Sequence, residues 1–186
     1  TEQGAAHAAD GYARSTGKVG IAIATSGPGA TNLITGIATA FMDSVPVVYI
    51  TGNVAQNLIG KDSFQEVYTT GITMPITKHN FVVREVDKIA DTIREAFRIA
   101  SSGRKGPVLI DFPKDVTIAE YDFEEKKSEV KKKEEFKDEN LLDEIAKLIN
   151  ESKKPVIYSG GGVISSNASE ELRQVIDKSS IPACNS

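Results

Sequence analysis

Apolar residues in this chain fall into short unbroken runs separated by longer amphipathic stretches, the pattern of strands alternating with helices. Residues 19–25 are apolar or small throughout, and such a run reads as a buried parallel strand. Residues 46–52 repeat the pattern, and 79–84 and 108–112 supply two more strands. Residues 2–14 and the stretch leading to Met42 read as helices. The clearest helix covers 86–101, with Ile89, Ile93, Phe97 and Ala100 on one stripe. Gly103 stands where it would close that helix, and Pro113 where it would keep the last strand out of the sheet interior. The passage from Asn53 to Thr77 is polar and irregular, and long loops in compact domains are usually functional. The alternation predicts an α/β fold with a mostly parallel sheet and flanking helices.

A second unit follows a change in composition. Residues 119–137 mix charges of both signs, and the run from Glu124 to Glu135 holds one apolar residue, Val130. That is a solvated linker, since the glutamates cancel the field a basic patch would need to hold nucleic acid. Beyond it, Leu141, Leu142, Ile145, Leu148 and Ile149 recur at helical spacing. A strand at 155–158 then runs into Gly160, Gly161 and Gly162, and a helix follows with Leu172, Val175 and Ile176 inward. Strand, glycines and helix mark the start of a second, Rossmann-like α/β domain. At this length it can barely bury a core of its own, so it is expected to pack on a neighbour or to be partly disordered.

Composition narrows the function classes. The chain has 186 residues and a formal net charge of −4, which gives no reason to expect nucleic acid as a partner. Its single cysteine, Cys184, excludes an internal disulfide, and Cys184, His7 and His79 lack zinc-type spacing. No apolar run reaches the roughly 18 residues of a membrane span, and no signal peptide heads the chain. A cytoplasmic protein with no membrane partner is the expectation.

The candidate chemistry sits near the start. Glu2 falls in the first turn of a helix, where the dipole favours a carboxylate, and Ala5, Ala6 and Ala9 keep its surroundings small. Alone, such a residue reads far more often as a solvated first-turn glutamate, and close helix packing suits the alanines equally well. Residues 26–32 form a glycine loop between strand and helix, a geometry that aims backbone N–H groups at a ligand. The loop lacks both the three-glycine dinucleotide spacing and the Lys-Ser/Thr ending of a phosphate loop, so taken by itself it reads better as a plain tight turn. His7 reads as a packed helix histidine and His79 as a strand residue.

Taken in order, the motifs resemble one family. Residues 2–14, then Ala24-Thr25-Ser26-Gly27-Pro28-Gly29-Ala30-Thr31-Asn32-Leu33, then Met42-Asp43-Ser44-Val45-Pro46 are similar to the pyrimidine-binding domain of thiamine-diphosphate enzymes. Phe64-Gln65-Glu66, residues 76–81 and residues 106–116 are most similar to the catalytic large subunit of the acetolactate synthase family. The resemblance implies three segments: residues 1–118 as the pyrimidine-binding domain lacking a first strand and helix, 119–137 as linker, and 138–186 as a truncated middle domain. It implies a fragment, inactive by itself, of an enzyme that condenses pyruvate with pyruvate or 2-oxobutyrate, releasing CO₂ through an enamine on the cofactor.

The resemblance also assigns residues. Glu2 would hold the pyrimidine ring nitrogen, Pro28 and Asn32 would border the ring, and Gln65 would face the reacting centre. Lys114 is a candidate for drawing an anionic substrate to the entrance, with a surface lysine as the alternative. Phe64 would pack beside the reacting centre, and Ala55 would line the substrate channel. Arg104 and the run Gly160, Gly161, Gly162 match positions that contact a structural FAD. Mg²⁺ would be held by residues outside this chain. A homodimer or higher oligomer and a regulatory small subunit are the implied protein partners. Thr1 stands where the family usually has His, Ala55 where many members have Pro, and Tyr68 where an acidic or small residue is frequent. Two other readings remain at this point: a pyruvate oxidase or glyoxylate carboligase type of thiamine enzyme, and a non-catalytic binding module.

Overall fold

The computed structural model describes residues 1–124 and 138–186, and the chain divides into two compact units, Thr1–Glu124 and Glu125–Ser186. Most of the expected linker, residues 125–137, lies outside the described residues.

In the first unit four parallel strands form a sheet in the order β1-β2-β4-β3. They are β1 (Gly20–Ala24), β2 (Val47–Asn53), β3 (His79–Val82) and β4 (Val108–Pro113). Helices α1 (Glu2–Thr16), α2 (Pro28–Asn32) and α3 (Ile34–Met42) occupy the first part of the chain, and α4 (Thr69–Thr73), α5 (Ile89–Ser101) and α6 (Lys114–Ile118) the rest. Register matches Gly20 with Val47 across the first pair and Val48 with Val108 across the second. Because side chains alternate along a strand, the sheet sorts its apolar residues into two cores. Val47, Tyr49 and Leu109 join Ala6, Ala9 and Ala13 of α1 and Ile37 and Ala40 of α3 on one face. Val48, Val108 and Ile110 join Ala96 and Ala100 of α5 on the other.

The layer carrying α1 is thin because its contacts are small. A Cβ on Gly36 would lie 2.4 Å from the Cβ of Ala6, so the Ala6 methyl group of α1 packs directly on the backbone of α3 there. Thr1 caps α1, accepting from the Gly4 N–H at 3.4 Å, and Gly17 ends it in the left-handed conformation at φ 71°.

Several expectations change. Strand β1 is an edge strand: Ala22 and Ala24 are buried but Ile21 and Ile23 are 50% and 67% exposed, because α5 covers β2, β4 and β3 and stops short of them. Pro113 belongs to β4 as its last residue, opposite Asn53. Helix α5 ends at Ser101, before Gly103, and the Lys78 ammonium takes over the capping by donating to the carbonyls of Ile99 and Ser102. That burial pushes the Lys78 amine below its usual value. The 53–77 passage is less loop-like than its polarity suggests, since Thr69, Thr73 and Thr77 are buried in and around α4. His7 is exposed, and His79 meets the Phe81 ring edge-on at 4.4 Å.

The second unit contains α7 (Glu139–Glu151), β5 (Ile157–Ser159), α8 (Gly161–Ser165), α9 (Ser169–Ser179) and β6 (Ala183–Asn185). Its two strands pair in parallel. The helix stripes expected to turn inward stay largely open: Leu148 is 62% and Val175 47% exposed, while Leu172 and Ile176 are half-buried. Among the described residues no helix is long and apolar enough to cross a membrane.

Tyr49 gives a stability test. Its side chain is fully buried and its hydroxyl has no hydrogen-bond partner among the described residues. A buried unpaired hydroxyl costs free energy, so Tyr49→Phe should stabilise the first unit by about 1 kcal/mol in urea unfolding. A loss of similar size would show that the hydroxyl is bonded.

Candidate functional site

Helix α1 ends just before β1 begins, so its first turn is carried back to the carboxyl edge of the sheet. There Glu2, half-buried, accepts from Nδ2 of Asn32 through Oε2 at 3.0 Å. Asn32 closes α2, and its Oδ1 accepts from Nε2 of Gln3 at 3.0 Å. The Glu2 carboxyl is held below its usual range, first by its own backbone N–H and then by the Asn32 amide, against a smaller opposing effect of burial.

Between β1 and α2 the chain makes the glycine turn. Gly27 caps α2 at φ 60°, ψ −116°, a conformation that disfavours any residue with a Cβ. A Cβ here would also lie 2.6 Å from the Gln65 carbonyl oxygen, so the glycine turn and the Gln65 loop are pressed together. Pro28 follows at the first position of α2, where its missing N–H costs nothing.

The Gln65 loop is held by one side chain. The Glu66 carboxylate accepts from the N–H of Gly60 and from that of Ser63, the latter at 2.9 Å. These amides draw the Glu66 carboxyl below its usual value, Gly60 most of all. The turn they close includes Asp62 at φ 53° and Gln65 at φ 59°, both in the left-handed region. Phe64, at its tip, is 88% exposed within this chain.

Next to the glycine turn lie the ends of β2 and β4. A Cβ on Gly52 would sit 3.4 Å from the Ser26 nitrogen, so the two edges adjoin. Asp111 is buried and accepts from Oγ1 of Thr51 at 2.6 Å and from Nδ2 of Asn53 at 2.5 Å. Burial pushes its carboxyl up despite both bonds. Ala55 follows, half-buried, and then Gln56, which is tied to Asp115 of α6. Lys114 is exposed at the start of α6.

The fold thus brings Glu2, Pro28, Asn32 and Gln65 to one edge of the sheet, where Phe64, Ala55 and Lys114 also lie on the loops after β2 and β4. Ligands of open α/β sheets bind outside that edge. Arg104 is elsewhere. Its Nε donates to Oγ of Ser44 at 2.8 Å, ahead of β2 and so at the amino edge, near the Arg14 pair with Asp43. Ala6 and Ala9 serve core packing, whereas Ala5 is exposed. In the second unit, a Cβ on Gly161 or Gly162 would meet nothing within 4 Å, whereas one on Gly160 would lie 3.3 Å from Oγ of Ser186. Among the described residues no cluster of side chains could hold a metal ion.

Sequence reasoning missed Gln3, Glu66, Asp111 and Asp115. Only Glu66 carried a local signal, the Ser-x-x-Glu spacing of a capping box from Ser63.

The chain belongs to the thiamine pyrophosphate enzymes: residues 1–72 match the family described as "Thiamine pyrophosphate enzyme, N-terminal TPP binding domain", and residues 142–186 match "Thiamine pyrophosphate enzyme, central domain". Its relatives are more particular. It is 55% identical over 184 residues to the acetolactate synthase of Mycobacterium leprae, covering 97% of this chain and 29% of that protein. It is 53% identical over 184 residues to the acetolactate synthase large subunit of Corynebacterium glutamicum, with the same coverage of 97% and 29%. To the acetolactate synthase of Arthrospira platensis it is 49% identical over 186 residues, covering 97% and 32%. The chain therefore spans about a third of the length of these relatives.

The Glu66 bonds predict an acid-sensitive loop. A depressed carboxyl stabilises the folded state above its unfolded value and loses that contribution as pH falls through the folded one. Glu66→Gln should therefore be less stable than wild type at neutral pH, with the gap closing below about pH 4. Urea unfolding at the two pH values checks this, and a gap independent of pH would contradict it.

Proposed function

We propose that this chain is the pyrimidine-binding part, with the start of the middle domain, of an acetolactate synthase. That enzyme condenses pyruvate with pyruvate or 2-oxobutyrate and releases CO₂, and the chain alone is inactive. The observation that carries the reading is the Glu2–Asn32 bond, set at the carboxyl edge beside the glycine turn and the Gln65 loop. Identity near 50% to acetolactate synthases along almost the whole chain supports the choice within the family.

The residues present suit the pyrimidine end of thiamine diphosphate. When bound, that cofactor supplies a carbon nucleophile that adds to a 2-oxo acid and stabilises the charge left by loss of CO₂. Glu2 would hold a proton at its carboxyl toward the pyrimidine ring nitrogen, and loss of water from the Glu2 carboxyl there would raise it from its lowered value and strengthen that bond. Asn32 keeps the carboxyl turned toward the ring, and Pro28 stiffens the wall beside it. The Gln65 amide is a neutral donor for a substrate oxygen. Lys114 attracts the 2-oxo acid carboxylate, with Ala55 and Phe64 along its path.

The remaining assignments are part of the same proposal. Arg104 in the first unit, and separately Gly160, Gly161 and Gly162 in the second, would contact FAD as a structural cofactor, and the space over Gly161 and Gly162 suits the latter. Mg²⁺ is held by residues outside this chain. The enzyme is a cytoplasmic homodimer or higher oligomer with a regulatory small subunit. Exposed apolar side chains beside Gln65, with Phe64 at 88% and Tyr68 at 73%, support a second subunit covering that loop.

In the full-length enzyme, Glu2→Gln should lower turnover by about two to four powers of ten, the span expected for a positioned proton-transfer group. Near-normal turnover would remove Glu2 from this role. Product analysis tests the reaction itself. Acetolactate from pyruvate is expected, and acetyl phosphate or tartronate semialdehyde would point to a different thiamine enzyme.

A further inference from the structure

The carboxyl edge carries a second set of acidic side chains that the reading above leaves without a role. Asp111 and Asp115 both take their hydrogen bonds from neutral groups of residues 51–56. Asp115 accepts through Oδ1 from the backbone N–H of Gln56 and through Oδ2 from its Nε2, each at 2.9 Å. The same Nε2 donates to the Arg84 carbonyl at 3.0 Å, which ties Gln56 to the end of β3. At the other end of this short loop, Asn53 donates to Asp111 and accepts from the Val54 N–H at 2.8 Å. Residues 53–56 are therefore pinned at both ends, and both pins come from the 111–115 segment.

That segment also presents Lys114. Helix α6 has five residues, and its cap, Pro113, contributes no side-chain hydrogen bond. Val116 is buried against the α5 side of the sheet and anchors α6 there. The grip of Asp115 on Gln56 is a second tether on this short helix, and it acts on the residue next to Lys114.

We propose that Asp115 is a positioning residue: by holding both nitrogens of Gln56 it fixes the separation between the Ala55 loop and Lys114, and so sets how tightly the site takes a 2-oxo acid carboxylate. The proposal rests on the acetolactate synthase reading. It adds a residue that touches neither cofactor nor substrate. Asparagine cannot replace the aspartate, because it accepts at one atom only and turns an NH₂ group toward the second donor.

The test uses the full-length enzyme with Asp115→Asn, Gln56→Ala and the double variant, and pyruvate as substrate. KM should rise roughly three- to tenfold in each single variant while kcat stays near wild type, because ground-state and transition-state binding are lost together. The double variant should be no worse than the weaker single one, since both remove the same link. Amide exchange at Val54 and Gln56 should quicken in Asp115→Asn, which shows that the loop has been released. An unchanged KM with quickened exchange would overturn the proposal, as would a fall in kcat at constant KM or additive effects in the double variant. A wild-type enzyme that makes no acetolactate would instead overturn the reading beneath it, and that is seen before any variant is compared.

Discussion

The contact between Ala6 and Gly36 is the constraint on which the site depends. No side chain on Gly36 separates α1 from α3, and a methyl group there would overlap Ala6. That closeness sets the height of α1 against the sheet, and with it the place of the first turn. One helical turn before Ala6, Glu2 then meets Asn32 across the gap between α1 and α2. A larger residue on either helix would push α1 outward and part the carboxyl from its amide, with no change in the residues of the site itself.

Around that contact, the edge is held by carboxylates that accept from neutral donors. Glu66 closes the Gln65 loop, Asp111 joins β2 to β4, and Asp115 holds Gln56. Ion pairs such as Arg94 with Asp91 and Arg98 with Glu95 lie on the exposed surface of α5. Exposed pairs of that kind contribute little, typically under about 1 kcal/mol. Bonds from backbone amides to a carboxylate have fixed geometry and also satisfy donors that a turn would otherwise leave open. They suit a site whose loops must keep their relative positions.

Much of this was legible from the sequence, for identifiable reasons. Strands β2 and β4 are apolar on both faces because both faces are covered, so the run-length pattern found them. Strand β1 has the same composition but lies at an edge, and nothing local distinguishes Ile23 at an edge from Ile50 inside. Glu2, Asn32 and Gln65 were found by resemblance, and their meeting is a tertiary fact that no spacing encodes. The roles of Asp111 and Asp115 were hidden, since their partners are about 60 residues away and the acids themselves look like ordinary strand-end polar residues. The capping of α5 by Lys78 was hidden likewise, because glycine spacing pointed to Gly103 for that task.

In the proposed site Glu2, turned by Asn32, meets the pyrimidine ring of thiamine diphosphate. A crystal structure of the full-length enzyme with that cofactor bound tests it most directly. A Glu2 carboxyl oxygen is expected at about 2.6–3.2 Å from a pyrimidine ring nitrogen, with the Asn32 bond kept. A ring held by other side chains, with Glu2 facing water, would contradict it.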